Sequence, residues 1–304
     1  MLLADAQVEF RDELLAAGLL FASDVPGLYG RSGIFEDVIE GIDTVVKAAG
    51  AGEPAQRMRF PPVIPRTVFE RTDYLASFPN LTGSIHTFTG DNAAHARLLA
   101  LQESDGDWTS ELSPSEVMLV PAACHPVYPL LTGILPEGGR WIDVYGYCFR
   151  HEPAMDPARM QAFRQREFVQ VGTPQQALSH RDAWIDRGLK VLRSLGLSPV
   201  ATVANDPFFG RAGRMLAVNQ REENLKIELV VQLYGGLGEG TAVVSSNCHN
   251  DHFSRPFDIT TTDGQFAHSA CVGFGMERIA LALLRHHGLD PTTWPTEVRA
   301  LMWP

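Results

Sequence analysis

No run of about 18 or more apolar residues occurs in the 304-residue chain, so no stretch is long enough to cross a bilayer as a helix. The opening MLLADAQVEFRDELL reaches Asp5, Glu9 and Arg11 before a signal-peptide apolar core can form, so a cytoplasmic protein without membrane association is expected. Cysteine is scarce. Cys124, Cys148, Cys248 and Cys271 lie far apart, too few to staple a chain of this size, and are read as thiols or metal ligands. Basic residues are short as well: 25 Lys and Arg stand against 36 Asp and Glu, and the formal charge of -11 opposes the counterion release that drives nucleic-acid binding. A large RNA partner is therefore disfavoured. Internal repeats, low-complexity stretches and linkers are missing too. The simplest organisation is one domain over residues 1–304, its first roughly 30 residues a short helical extension. At 45% hydrophobic, the chain can bury a large core.

What is present reads as mixed helix and strand. The first fifty residues read as helical, with Ile34, Val38, Ile42 and Val45 or Val46 at helical spacing between Ser32 and the stop signal Gly50. MRFPPVIPR follows as a proline-broken strand. WIDVYGYCFR and FVQVG read as two strands joined by a long polar excursion. Thr173, Pro174 and Gln176 form a capping box with proline at the first helical position, opening a helix through Trp184, Ile185 and Leu192 to about Gly196. LKIELVVQL and TAVVSSN add strands. HSACVGFG is a strand ending in glycines, followed by the helix MERIALALLRHHG with Ile279, Ala280, Leu283 and Leu284 on one face. The expected class is α+β, an antiparallel β-sheet flanked by helices.

Two segments carry phosphate chemistry. FRHEPAMDPARMQAFRQRE gathers Arg150, Arg159, Arg164 and Arg166 about one strand-loop-strand turn, where guanidinium groups could grip phosphate oxygens in pairs and Phe163 could stack on a purine. A solvated, arginine-rich hairpin fits the same composition. GFGMER sets Arg278 in the first turn of a helix, the end whose free N–H groups favour anions; a cation there is explained if a polyphosphate neutralises it.

Together these segments resemble the class II aminoacyl-tRNA synthetase core, with FRHE as its motif 2 and GFGMER as its motif 3. The resemblance implies that Arg150 meets the α-phosphate of ATP, Glu152 the adenine end, Arg159 the pyrophosphate and Arg278 the γ-phosphate, with Phe163 stacked on adenine and Mg2+ accompanying the nucleotide. The helix from about Ile34 and the strand RFPPVIP resemble motif 1, which implies a homodimer. Over residues 20–300 the chain is most similar to the atypical zinc-dependent seryl-tRNA synthetases and their shorter homologues, the amino acid:carrier protein ligases. PAAC stands where ordinary seryl enzymes carry PTAE. The implied ligands of one Zn2+ per chain are Cys124, Glu167 and Cys271, with the metal holding the substrate α-amino group at the sheet edge and ATP on the sheet face. Two thiolates and a carboxylate with an open fourth position suit zinc. Taken singly, each cysteine reads as a small core residue and Glu167 as a strand carboxylate.

Other residues keep two readings. Cys248, His249 and His252 in SSNCHNDHF form a rival metal set. No glutamate stands at the usual offset before Ser245 and Ser246 to hold magnesium. Glu228 matches a pocket glutamate of seryl enzymes, or an alternating charge on a half-buried strand. His286 and His287 read as partners of a helix C-terminus. The function implied is ATP-dependent activation of a small amino acid, glycine or alanine, to an aminoacyl adenylate, then transfer to the phosphopantetheine thiol of a carrier protein. A minimal tRNA synthetase and a non-catalytic synthetase-like module are the alternatives. With only about thirty residues before the first motif-like helix, no independent RNA-binding domain and no tRNA partner are expected. A local basic region at Arg211, Arg214 and Arg221 is the expected carrier-docking patch.

Overall fold

The computed structural model describes residues 1–206, 209 and 225–304. Helix α1 (Leu3–Ala16) buries Ala6, Phe10 and Leu14 at four-residue spacing, and α2 (Gly33–Gly50) buries Phe35, Val38, Ile39, Ile42, Val45 and Val46. Ser32 caps α2 by accepting from Phe35 N. The first fifty residues are not helical throughout. A short antiparallel hairpin, Leu20–Ala22 with Tyr29–Arg31, separates the two helices. Pro26 and Gly27, the latter at φ 80°, impose the turn that a continuous helix could not make. Ile34 consequently falls on the outer side of α2 and is 53% exposed.

Seven strands form the central sheet: β1 (Gln56–Met58), β2 (Arg140–Phe149), β3 (Ala162–Gly172), β4 (Val200–Val203), β5 (Lys226–Val231), β6 (Thr241–Asn250) and β7 (His268–Gly275). Their order is β4-β5-β6-β7-β3-β2-β1, antiparallel throughout except for the parallel β1–β2 pair. The expected antiparallel sheet with flanking helices is therefore observed. MRFPPVIPR is split by its prolines between two sheets. Gln56–Met58 joins the large one, whereas Val63–Pro65 joins a three-stranded sheet with Ser84–Thr87 and Ser113–Leu119.

One face of the large sheet is covered by α2, by α3 (Pro174–Ser194) and by α4 (Met276–His287). The Thr173 capping box is present, with Thr173 N donating to Gln176 Oε1 at 2.8 Å and Gln176 N to Thr173 Oγ1 at 3.3 Å. Phe168 of β3 stacks on Trp184 of α3 with centroids 4.0 Å apart, a contact of about 1 kcal/mol beyond its buried area. Strand alternation then assigns side chains. Arg164, Arg166 and Phe168 point into the helical layer, while Phe163, Gln165 and Glu167 point to the opposite face. Among the described residues no helix is long and apolar enough to cross a membrane.

Candidate active site and metal centre

The face away from the helices opens into a cavity of about 470 Å³. Alternate residues of neighbouring strands line it: Phe163, Gln165 and Glu167 from β3, Ser245, Asn247 and His249 from β6, and Cys271, Gly273 and Gly275 from β7. Cys124 enters from above, immediately before a short 3-10 helix at His125–Leu131.

The ligand atoms of Cys124, Glu167 and Cys271 lie within 4.8 Å of one another, and all three residues are buried. Among the described residues no other group of three such side chains converges in this way. Residues from distant segments meet because β3 and β7 pair with Glu167 opposite Gly273, which sets Cys271 one alternate position along the same face. Glu167 Oε1 accepts from Ala123 N at 3.2 Å, but Oε2 is buried without a hydrogen-bond partner. Such an orphan costs stability unless something satisfies it. Burial, reinforced by Cys271, pushes the Glu167 carboxyl up to about 8. A hydrogen bond from Cys124 to Cys271 drives the two thiols apart, Cys271 well below the usual thiol range and Cys124 well above it. Three acidic groups crowded in a dry site strain against joint ionisation, which a divalent cation would relieve. The donor set thus fits zinc. It lies over β7, the central strand, rather than at the sheet edge expected from the sequence.

The rival set does not assemble. Cys248 packs with Ala177 of α3 and Ala270, while His252 lies edge-on to Phe253. His249 faces Cys271, with Nε2 3.6 Å from the sulfur. Cys148 is buried too, its thiol donating to Gln165 Oε1 at 3.0 Å.

The expected nucleotide residues line the cavity or its mouth. Arg150 Nε donates to Pro121 O at 3.1 Å, and its guanidinium lies 5.4 Å from the centre of the Phe163 ring. Arg278, in the first turn of α4, donates from Nε to Ala158 O at 2.8 Å and from Nη1 to Ala242 O at 3.0 Å. Burial and the neighbouring Arg150 charge hold Arg278 below its usual value, as expected of two cations converging where an anion would relieve both. Arg159, more exposed, stands 3.5 Å from Glu152. The arginine cluster read from the sequence divides here. Arg164 bonds Glu36 on the helical side and Glu277, which also reaches the cavity lining, and Arg166 bonds Asp43 and Asp143. Neither faces the cavity.

No family model matches the chain. Amino acid–[acyl-carrier-protein] ligase 2 of Bradyrhizobium diazoefficiens is 43% identical over 291 residues, spanning 95% of this chain and 86% of that protein. Ligase 1 of the same organism is 40% identical, over 95% of this chain and 88% of its own. This chain belongs to the amino acid–[acyl-carrier-protein] ligases. A type-2 serine–tRNA ligase of Methanopyrus kandleri is 27% identical over 206 residues, 64% of this ligase and 39% of that protein. Among solved structures, M. kandleri SerRS in complex with A. aeolicus tRNASec superposes with a TM-score of 0.82 at 22% identity, covering 96% of this ligase and 60% of that chain. Prolyl-tRNA synthetase from Cryptosporidium parvum gives 0.68 over 92% of the ligase and 52% of that chain. The ligase therefore has the class II synthetase fold.

Glu228, one of whose two sequence readings was a pocket glutamate, does line the cavity, whereas sequence reasoning missed its neighbours Lys226 and Gln165. Glu228 lies on the cavity wall beside Lys226, with Nζ 3.1 Å away, and Lys226 also pairs with Asp206 at 2.5 Å. The two-residue spacing of Lys226 and Glu228 on a strand was the available signal. Gln165 could have been found the same way, midway between Phe163 and Glu167. Ser245 lines the cavity, while Ser246 turns its hydroxyl to Arg181 O of α3. His287 bonds Leu195 O, at the end of α3, at 2.9 Å, so its partner is a neighbouring helix and not the C-terminus of α4. Arg211, Arg214 and Arg221 lie outside the described residues.

Proposed function

We propose that this ligase activates glycine or alanine with ATP and passes the aminoacyl group to the phosphopantetheine thiol of a carrier protein. The observation that carries this reading is the buried Cys124–Glu167–Cys271 trio in one cavity with Arg150, Phe163 and Arg278. The amino acid carboxylate attacks the α-phosphorus, forming a new P–O bond as the bond to pyrophosphate breaks. The carrier thiol then attacks the adenylate carbonyl, forming the thioester and releasing AMP with the thiol proton passing to solvent. Both reactants bring their own nucleophile and leaving group, so the protein orients them and neutralises charge. Arg150 holds the α-phosphate, Arg278 the γ-phosphate and Arg159 the pyrophosphate. Phe163 stacks on adenine and Glu152 accepts from its amino group, with Mg2+ accompanying ATP. Zinc bound by Cys124, Glu167 and Cys271 supplies a Lewis-acid position for the substrate α-amino group. The catalytic unit is one domain over residues 1–304, working as a cytoplasmic homodimer.

The test is amino-acid-dependent exchange of pyrophosphate into ATP, followed by radiolabel transfer to phosphopantetheinylated carrier or to tRNA. Arg150→Ala and Arg278→Ala are each expected to lose about 2 kcal/mol or more of transition-state stabilisation with little change in thermal stability. Cys124→Ser should lose metal and exchange together, and N-acetylglycine should not support exchange. Fully active arginine variants, or label on tRNA alone, would overturn the reading.

A further inference from the structure

Of the rival metal set, His249 is the member whose ring reaches the sulfur of Cys271, and its surroundings explain why. The β6–β7 ladder pairs Asn247 with Cys271 and Cys248 with Ala270, then slips so that Asn250 pairs with Ser269. His249 is the extra residue of that bulge, and Asn250 takes up the distortion at φ 50°. Bulges of this kind re-aim a side chain at the cost of one ladder pair. Here the imidazole spans two residues of one strand face: Nδ1 lies 3.1 Å from Ser269 Oγ, and Nε2 lies 3.6 Å from Cys271 Sγ. The ring is braced edge-on by Phe253, itself stacked on Tyr128.

His249 is not a fourth ligand, because only Cys124, Glu167 and Cys271 converge within 4.8 Å of one another. We propose that His249 is a positioning residue for the metal-binding sulfur of Cys271, its tautomer fixed by Ser269. The Ser269 hydroxyl donates to Nδ1, which leaves the ring proton on Nε2 to be donated to the sulfur. That bond occupies one sulfur lone pair and leaves the others for the site. Asn247 Nδ2, 3.9 Å from the same sulfur and tied to Ser245 Oγ at 3.1 Å, adds a weaker donor. Outer groups that orient a metal ligand typically account for about 10- to 100-fold in metal affinity.

The inference rests on the zinc reading above, and the experiment separates the two. Zinc release from the purified ligase to a chelating dye is measured alongside the thiolate-to-metal charge-transfer band of the cobalt-substituted protein. His249→Ala is expected to bind zinc about 10- to 100-fold more weakly and to shift the cobalt band. His249→Gln, whose amide nitrogen reaches the Nε2 position, should restore most of both. Ser269→Ala, a smaller change should His249→Ala fold poorly, should weaken zinc binding in the same direction. Wild-type zinc affinity and an unshifted band in His249→Ala and Ser269→Ala overturn the role of His249 while Cys271→Ser still loses its metal. Zinc retained at full occupancy in Cys271→Ser overturns the metal centre itself, and this proposal with it.

Discussion

Arg166 sits one residue before Glu167, whose carboxylate faces the cavity, yet its work is structural. Its side chain is fully buried between Asp43 and Asp143. Removing the cation leaves the Asp143 carboxylate without its ion-pair partner and Asp43 with Lys47 alone, so Arg166→Ala is expected to cost about 3–5 kcal/mol of stability, readable as a lower denaturant midpoint. An unchanged midpoint would refute it. Composition groups Arg164 and Arg166 with Arg150 and Arg159, and only the side of β3 separates them. The apolar run FVQVG marks the end of that strand, whereas the strand begins at Ala162, so its charged half reads as loop. His180 gives a second test. Buried on α3 with Nε2 3.0 Å from Phe168 O, it is held down to about 4 chiefly by burial. Above the unfolded histidine value near 6.5 both states are neutral and its contribution is intact. As pH falls from about 6.5 to 4 the unfolded chain gains a proton that the folded one refuses, a loss of about 3 kcal/mol complete below that range. His180→Gln should show a shallower decline in stability over that interval; an identical slope would contradict the assignment.

Elements whose local chemistry and long-range packing agree were legible from sequence alone. HSACVGFG and MERIALALLRHH coincide with β7 and α4, and Thr173 begins α3 as its capping box requires. The hairpin between α1 and α2 was not legible, because its residues are too few to show a period of two before the turn. Nor does sequence disclose how α1 reaches the loop between β2 and β3. Gln7 of α1 donates to Asp156 Oδ2 at 3.0 Å, and Tyr234 donates to Asp156 Oδ1, which also accepts from Ala158 N at 2.9 Å. Ala158 O in turn receives Arg278. Loosening this chain should blur the ATP subsite without touching the amino acid end. Tyr234→Phe is expected to raise the KM for ATP roughly tenfold, about 1.4 kcal/mol, leaving the KM for amino acid near its starting value. Equal changes in both constants would point to general destabilisation instead.

For the whole molecule, net charge bears on both candidate acceptors. A net -11 gives no broad attraction for tRNA, and each phosphate that a protein neutralises adds roughly -0.7 to -0.9 to the slope of log affinity against log salt. Unlabelled tRNA added in excess is therefore expected to leave carrier labelling unchanged at low salt, and any residual tRNA binding should show a slope near zero. An acidic carrier meets the same overall repulsion, so productive docking needs a local concentration of positive charge. Residues 210–224 hold Arg211, Arg214 and Arg221 against Glu222 and Glu223, a small basic excess in an otherwise acidic chain. Reversing all three arginines to glutamate should slow transfer to the carrier by an amount that shrinks as salt screens the repulsion over about 10 Å. Pyrophosphate exchange, which involves no carrier, should stay at the wild-type rate. Transfer that is unaffected by the triple reversal at low salt would move the docking surface elsewhere on the ligase, and loss of exchange along with transfer would mean that the segment shapes the active site rather than the encounter.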